Sequence, residues 1–199
     1  AQIWAVNNSP EVDLPNLLEQ LNIKYVRLTR QGASWKQMAS LREITDRYGI
    51  KWVYMIWSAP DELTDGQGML RDVAGFSRWW AEEIDALTTN DVRPHFIELM
   101  NEPDSEGRWS TGIDPRTYNE LVQSVRNRLA GRGYGDIDIV GPGLAHLDWR
   151  DNTSKWMKAL DQKAVSALGA WSTHSWDDGD LCRGGSSCIE KQWADFGTT

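Results

Sequence analysis

The chain has 199 residues, of which 40% are apolar and 25% are charged, a balance typical of a globular domain with a substantial core. Its net charge of −8 argues against nucleic acid or an anionic membrane surface as a partner and suits a neutral substrate. No apolar run approaches the roughly 20 residues that a membrane-spanning helix needs.

Apolar segments with strand character alternate with segments of helical periodicity. The predicted strands cover residues 3–6, 23–29, 50–57, 95–101, 137–141 and 171–176. The predicted helices cover residues 14–21, 35–48, 73–87, 115–129, 154–168 and 187–196, with Asp114 as the expected cap of the fourth. Six β–α units in strict order predict a parallel sheet with helices outside it, in one domain over residues 1–199.

Two architectures are compatible with this alternation. A doubly wound open sheet would bind a nucleotide through a glycine-rich first turn, whereas the first turn here is Asn7-Asn8-Ser9-Pro10. A (β/α)8 barrel needs about 250 residues, so this chain would supply six of its eight units. We therefore expect an α/β fold of the TIM-barrel type that lacks the last two units. Because such a barrel has open edges, a further segment or partner is expected to cover them.

The most specific motif is Asn101-Glu102-Pro103, at the end of the apolar segment 95–101. The proline stops the strand, so an amide and a carboxylate reach the carboxyl edge of the sheet, where α/β barrels hold their catalytic groups. The segment 96–104 resembles the fourth-strand motif of clan A glycoside hydrolases, the barrel enzymes that include the family-five cellulases and mannanases.

Three other segments match this clan in the expected order. Arg27 is similar to the second-strand arginine that supports the nucleophile, although an ordinary surface arginine would look the same. His174 resembles the sixth-strand histidine, but the aromatic residue two positions later is Trp176 and not the usual tyrosine, so it can donate only through its indole N–H. The Trp-Ser-Ala-Pro segment at 57–60 resembles family-thirty more than family-five enzymes.

The resemblance implies hydrolysis of β-glycosidic bonds with retention, which requires two carboxyl groups about 5–5.5 Å apart. Glu102 would be the general acid/base, and Asn101 would hydrogen-bond the sugar 2-hydroxyl. Glu98 lies on the same face of the strand but deeper, which favours a supporting role. The substrate would be a β-linked polysaccharide or oligosaccharide of the cellulose, xylan, mannan or glucan type. This chemistry needs no metal or organic cofactor.

The nucleophile of the clan comes from the seventh strand. The acidic residues after the predicted sixth strand do not end an apolar strand: Asp177, Asp178, Asp180, Glu190 and Asp195. We therefore expect the nucleophile outside this chain, which would be a truncated enzyme, one part of a split enzyme completed by a second polypeptide, or a natural reduced barrel. The alternative function is an inactive carbohydrate-binding barrel. A serine hydrolase is disfavoured because there is no Gly-x-Ser-x-Gly motif.

Twelve tryptophans are present. Four lie inside strand or helix patterns and are expected in the core: Trp52, Trp79, Trp80 and Trp156. Five lie at strand ends or in loops, where their flat faces could stack on sugar rings or simply cap the core: Trp35, Trp57, Trp109, Trp149 and Trp176.

Cys182 and Cys188 flank a glycine-rich segment at 183–187. A disulfide that closes this short loop would indicate an oxidising compartment and favours a secreted protein, whereas two free thiols are the alternative. A zinc site has less support because nothing nearby completes four ligands. The chain begins at Ala1 without a methionine or a leader, so we expect a processed or engineered product and draw no evidence of export from its start.

Overall fold

The computed structural model describes residues 14–30, 32–105, 110–145 and 152–174. The strands are β1 (Tyr25–Leu28), β2 (Lys51–Met55), β3 (Phe96–Glu98), β4 (Asp138–Leu144) and β5 (Leu168–Thr173). The helices are α1 (Leu14–Leu21), α2 (Trp35–Arg47), α3 (Val73–Thr89), α4 (Pro115–Gly131), α5 (Asn152–Ala159) and α6 (Gln162–Ala167), with a short 3-10 helix at Asp61–Leu63. The predicted strand 3–6 and helix 187–196 lie outside the described residues.

All five strands pair in parallel, and each pairs with the next strand along the chain, in the order β1-β2-β3-β4-β5. This order is that of a barrel wall, since a doubly wound sheet reverses direction at a switch point. Within the described residues, β1 and β5 form the two ends of the sheet, and the sheet is not closed.

The core lies between the sheet and the helices. On β2, Trp52 donates its indole N–H to the Thr45 hydroxyl of α2 at 2.7 Å, and the Tyr54 hydroxyl donates to Glu83 of α3 at 2.5 Å. Trp52, Trp80 and Trp156 are buried, as predicted, whereas Trp79 is only partly buried. Because side chains alternate along a strand, the residues between these core positions face the opposite side of the sheet.

Local sequence signals set the helix ends. The side chains of Ser34 and Gln37 form a capping box at the start of α2, and Asp114 caps α4 with Pro115 as its first residue, as predicted. None of the helices in the described part of the chain has the length and apolar character needed to cross a membrane.

The single helix predicted over 154–168 is wrong. It is divided into α5 and α6 at Asp161, whose carboxylate caps α6 by accepting from the Ala164 N–H at 2.8 Å. Asn119 of α4 holds the break, because its amide donates to the Ala159 carbonyl and accepts from the Asp161 N–H. The last strand consequently begins at Leu168 and not at Trp171.

Candidate active site

The carboxyl ends of three strands bring four predicted site residues together. Arg27 comes from β1, Asn101 and Glu102 follow β3, and His174 follows β5. The Arg27 guanidinium donates to the Asn101 side-chain oxygen at 2.8 Å, and Nδ1 of His174 lies 2.8 Å from Oε1 of Glu102. These residues are spread from position 27 to position 174 of the sequence, and the parallel packing of the strands brings them together.

Glu102 is presented by a constrained turn. Its φ is +49°, in the left-handed region that costs a non-glycine residue roughly 1–2 kcal/mol. Its N–H donates to the carbonyl of Gly143 at 3.0 Å, and its own carbonyl accepts from the Ser105 N–H at 2.9 Å. The side chain is 18% exposed. Strained backbone at an accessible carboxylate is typical of functional sites, where surrounding contacts enforce the geometry.

Hydrogen bonds to β4 position the backbone of His174. Its backbone N–H donates to the Leu144 carbonyl at 2.7 Å, and that carbonyl also accepts from the Thr173 hydroxyl at 3.1 Å. These bonds hold the backbone at the end of β5. The ring lies between two carboxylates, with Nε2 at 3.6 Å from Oε1 of Glu98.

Glu98 lies beneath the site and is only 2% exposed. One of its oxygens accepts from Nε of Arg27 at 2.5 Å, and the other accepts from the Ser172 hydroxyl at 3.0 Å. A buried carboxylate is costly unless it is paired in this way. Burial alone would raise the pKa of Glu98, but the facing His174 and the Arg27 guanidinium outweigh it and hold that pKa below its usual range.

The same pairing acts on the imidazole. Burial alone would lower the pKa of His174, but the carboxylates of Glu98 and Glu102 outweigh it and raise that pKa above its usual value. Arg27, Glu98, His174 and Glu102 therefore lie in series, each within ion-pair distance of the next.

Gly143 gives the buried carboxylate its space. Its φ is +73°, and a Cβ at this position would lie 2.6 Å from Oε1 of Glu98 and 2.9 Å from the Met100 carbonyl oxygen. Sequence analysis did not identify Gly143 or the contact between Ser172 and Glu98. The glycines on both sides of Pro142, at the end of a predicted strand, were the available signal, because glycine in a strand often marks a close approach.

Trp57 is the predicted stacking residue that lies next to this cluster. It follows β2, is partly buried, and has its ring centre 5.8 Å from the Arg27 guanidinium carbon. It also lines a cavity of about 690 Å³ with Trp79, although Glu98, Glu102 and His174 are not among the lining residues. The charged cluster therefore does not line this cavity.

The other predicted site residues are not among those that the structure shows next to Glu102 and His174. Trp35 packs against the core, and its ring lies 4.4 Å from the Arg30 guanidinium carbon. The remaining predicted residues lie outside the described part of the chain: Trp109, Trp149, Trp176, Cys182 and Cys188. Among the described residues, no group of three or more His, Cys, Asp or Glu side chains is placed to hold a metal ion.

Comparison with known proteins defines the fold. No protein-family model matches the chain, and no curated protein gives a significant match. Solved structures do match with a probability of 1.00. A glycoside hydrolase family 30 subfamily 8 xylanase from Clostridium acetobutylicum has a TM-score of 0.63 at 12% identity, over 81% of this chain and 45% of that one.

Two further structures agree. A family 30 endoxylanase from Clostridium papyrosolvens has a TM-score of 0.61 at 14% identity, over 81% of this chain and 45% of that one. An endo-β1,6-glucanase has a TM-score of 0.62 at 12% identity, over 77% of this chain and 44% of that one. This chain thus spans less than half of each neighbour. The predicted incomplete (β/α)8 barrel and its likeness to clan A glycoside hydrolases are confirmed at the level of the fold.

Proposed function

We propose that this chain carries the acid/base half of a retaining glycoside hydrolase that cleaves β-glycosidic bonds in a polysaccharide or oligosaccharide. The supporting observation is the placement of Glu102 at the carboxyl end of β3, on a strained turn and 2.8 Å from His174. The fold shared with xylanases and a glucanase supports the same assignment.

In this proposal Glu102 is the proton donor to the departing oxygen and then the base that activates water. It is accessible, it follows the strand end, and a histidine contacts it. Asn101 is buried, and its amide oxygen accepts from Arg27. Its place next to Glu102 supports the proposal that it hydrogen-bonds the sugar 2-hydroxyl.

Glu98 does not fit the role of nucleophile. A nucleophile must reach the anomeric carbon, whereas both Glu98 oxygens accept hydrogen bonds from Arg27 and Ser172 in the interior. We therefore assign the nucleophile to polypeptide outside the described residues, from a further segment or a second chain that completes the barrel. A secreted location remains part of the proposal.

The test is hydrolysis by the complete enzyme. Xylan and β-1,6-glucan are the first substrates, because the structures similar to this chain are those of xylanases and an endo-β1,6-glucanase. Glu102→Gln should lower turnover of the unactivated glycan by about 10²–10⁴-fold, the usual contribution of a general acid. The loss should be smaller for an aryl glycoside with an acidic leaving group, because that oxygen needs less protonation on departure.

Glu120→Gln provides the matched control, since it makes the same chemical change on the exposed face of α4 and should leave turnover unchanged. Full activity of Glu102→Gln on the unactivated glycan would refute the acid/base assignment. Binding of an oligosaccharide by calorimetry, with no release of reducing ends from any tested β-glycan, would instead favour an inactive carbohydrate-binding barrel.

A further inference from the structure

The imidazole of His174 lies between two carboxylates. Nδ1 is 2.8 Å from Glu102, and Nε2 is 3.6 Å from Glu98. Nδ1 is within hydrogen-bond distance of Glu102, whereas Nε2 lies at an ion-pair distance from Glu98 that is too long for a hydrogen bond. Both carboxylates attract a positive charge on the ring, so the geometry favours a protonated ring over a neutral one.

Glu98 is the fixed member of this group. It is the last residue of β3, where its backbone is paired with β2 on one side and β4 on the other. Its side chain is held by Arg27 and Ser172, and it occupies the space that the missing Cβ of Gly143 leaves on β4. Glu102, by contrast, follows the strand and is accessible.

We propose that Glu98 is a positioning residue for Glu102 that acts through His174: its buried negative charge keeps the imidazole protonated and directed at the Glu102 carboxylate. The inference rests on the proposed function, since it assigns Glu98 a part in supplying the proton that Glu102 delivers.

The charges around the group support this role. Arg27 of β1 and Glu98 of β3 carry opposite charges in contact. The positive charge of Arg27 opposes protonation of His174, and the two carboxylates that face the ring favour it. Tyr118 of α4 also lies within electrostatic reach of Glu98, and burial raises the pKa of its hydroxyl, so it stays neutral. The raised pKa of His174 has Glu98 as its largest favourable cause, ahead of Glu102.

In this proposal His174 and Glu102 share one proton, which can pass directly between Nδ1 and Oε1 across their 2.8 Å contact. The Nδ1–H bond of the imidazolium breaks as an O–H bond forms at Oε1 of Glu102, and the positive and negative charges cancel. Glu102 then holds the hydrogen that leaves with the departing oxygen, and His174 becomes neutral. Water supplies the replacement proton in the second step of a retaining mechanism.

The test is the titration of the His174 ring in the full chain, followed by NMR and assigned with His174→Gln. Glu98→Gln should lower the His174 midpoint by about one pH unit or more, because a nearby negative charge favours the protonated ring. Glu102→Gln should lower it by less, although Glu102 is the closer carboxylate, because Glu98 lies in the drier surroundings.

Glu83→Gln is the matched control. Glu83 is also buried and also contacts an arginine, Arg30, but it is on α3 and its other partner is Tyr54, so this change should leave the His174 midpoint in place. An unchanged His174 midpoint in folded Glu98→Gln, or a larger drop in Glu102→Gln than in Glu98→Gln, overturns the proposal.

A second comparison decides the case if Glu98→Gln does not fold. In Glu102→Gln the His174 midpoint should stay above the ordinary histidine value, since Glu98 is still present, and a midpoint at or below that value overturns the proposal. Because titration needs no substrate, it is independent of hydrolysis: a chain that shows the shift but cleaves no β-glycan contradicts the proposed function and not the coupling.

Discussion

The space left by Gly143 provides the sharpest structural prediction. Replacing it with alanine puts a Cβ 2.6 Å from the Glu98 carboxylate and 2.9 Å from the Met100 carbonyl, closer than real Cβ contacts. The backbone at φ +73° costs an alanine roughly 1–2 kcal/mol. Forcing an extra methyl into a packed region costs about 1–3 kcal/mol more. We therefore expect Gly143→Ala to lower the free energy of unfolding by about 2–5 kcal/mol.

Gly133→Ala separates these two contributions. Gly133 has a similar φ of +82°, but no heavy atom lies within 4 Å of the position of its Cβ. It should lose only the backbone part, roughly 1–2 kcal/mol. The assay is urea unfolding of both variants and the parent chain, followed by tryptophan fluorescence and circular dichroism, with the slopes compared as well as the midpoints.

Equal losses for Gly143→Ala and Gly133→Ala would refute the packing explanation, since the backbone cost would then account for both. A further consequence concerns the site. The Gly143 carbonyl accepts from the Glu102 N–H, and a Cβ at Gly143 would face Glu98. Under the proposed function, Gly143→Ala should therefore also reduce glycan hydrolysis, whereas Gly133→Ala should not.

Two other predictions concern buried polar groups. Tyr54→Phe removes the hydroxyl that donates to Glu83 and should cost about 1–3 kcal/mol in urea unfolding, because the carboxylate stays buried. Tyr118→Phe is its control and should cost less, because within the described residues the Tyr118 hydroxyl has no hydrogen-bond partner; equal losses would contradict this. The raised pKa of His174 means that its pairing stabilises the fold fully below the ordinary histidine pKa of about 6.5 and is lost as pH rises through the folded value. The lowered pKa of Glu98 gives stability that is present above the ordinary carboxyl pKa and lost as pH falls through the folded value. Unfolding midpoints of the parent chain and His174→Gln should therefore converge as pH rises through the folded His174 value, and a constant difference between them would show that the charge plays no part.

Local signals made several elements predictable. The start of α4 follows from Asp114 and Pro115, because a cap and a preset φ act within one helical turn. The break between α5 and α6 could not be predicted in this way, since Asn119 makes it from another helix, 42 residues before Asp161. Tertiary contacts of this range leave no trace in a local periodicity.

The candidate site shows the same division. Glu102 and Asn101 were predicted from a motif that is contiguous, and Arg27 and His174 from their order in the chain. The role of Glu98 as the charge between Arg27 and His174 was not predictable, because it depends on contacts between β1, β3 and β5.

The amino-acid sequence by itself determined the alternation of strand and helix and the identity of the groups at each strand end, because backbone periodicity and turn chemistry are local. The tertiary structure decided which of those groups touch. Distances such as the 2.8 Å between His174 and Glu102 arise from the parallel register of strands that are far apart in the chain, and from a glycine at 143 that lets a carboxylate fit beneath them.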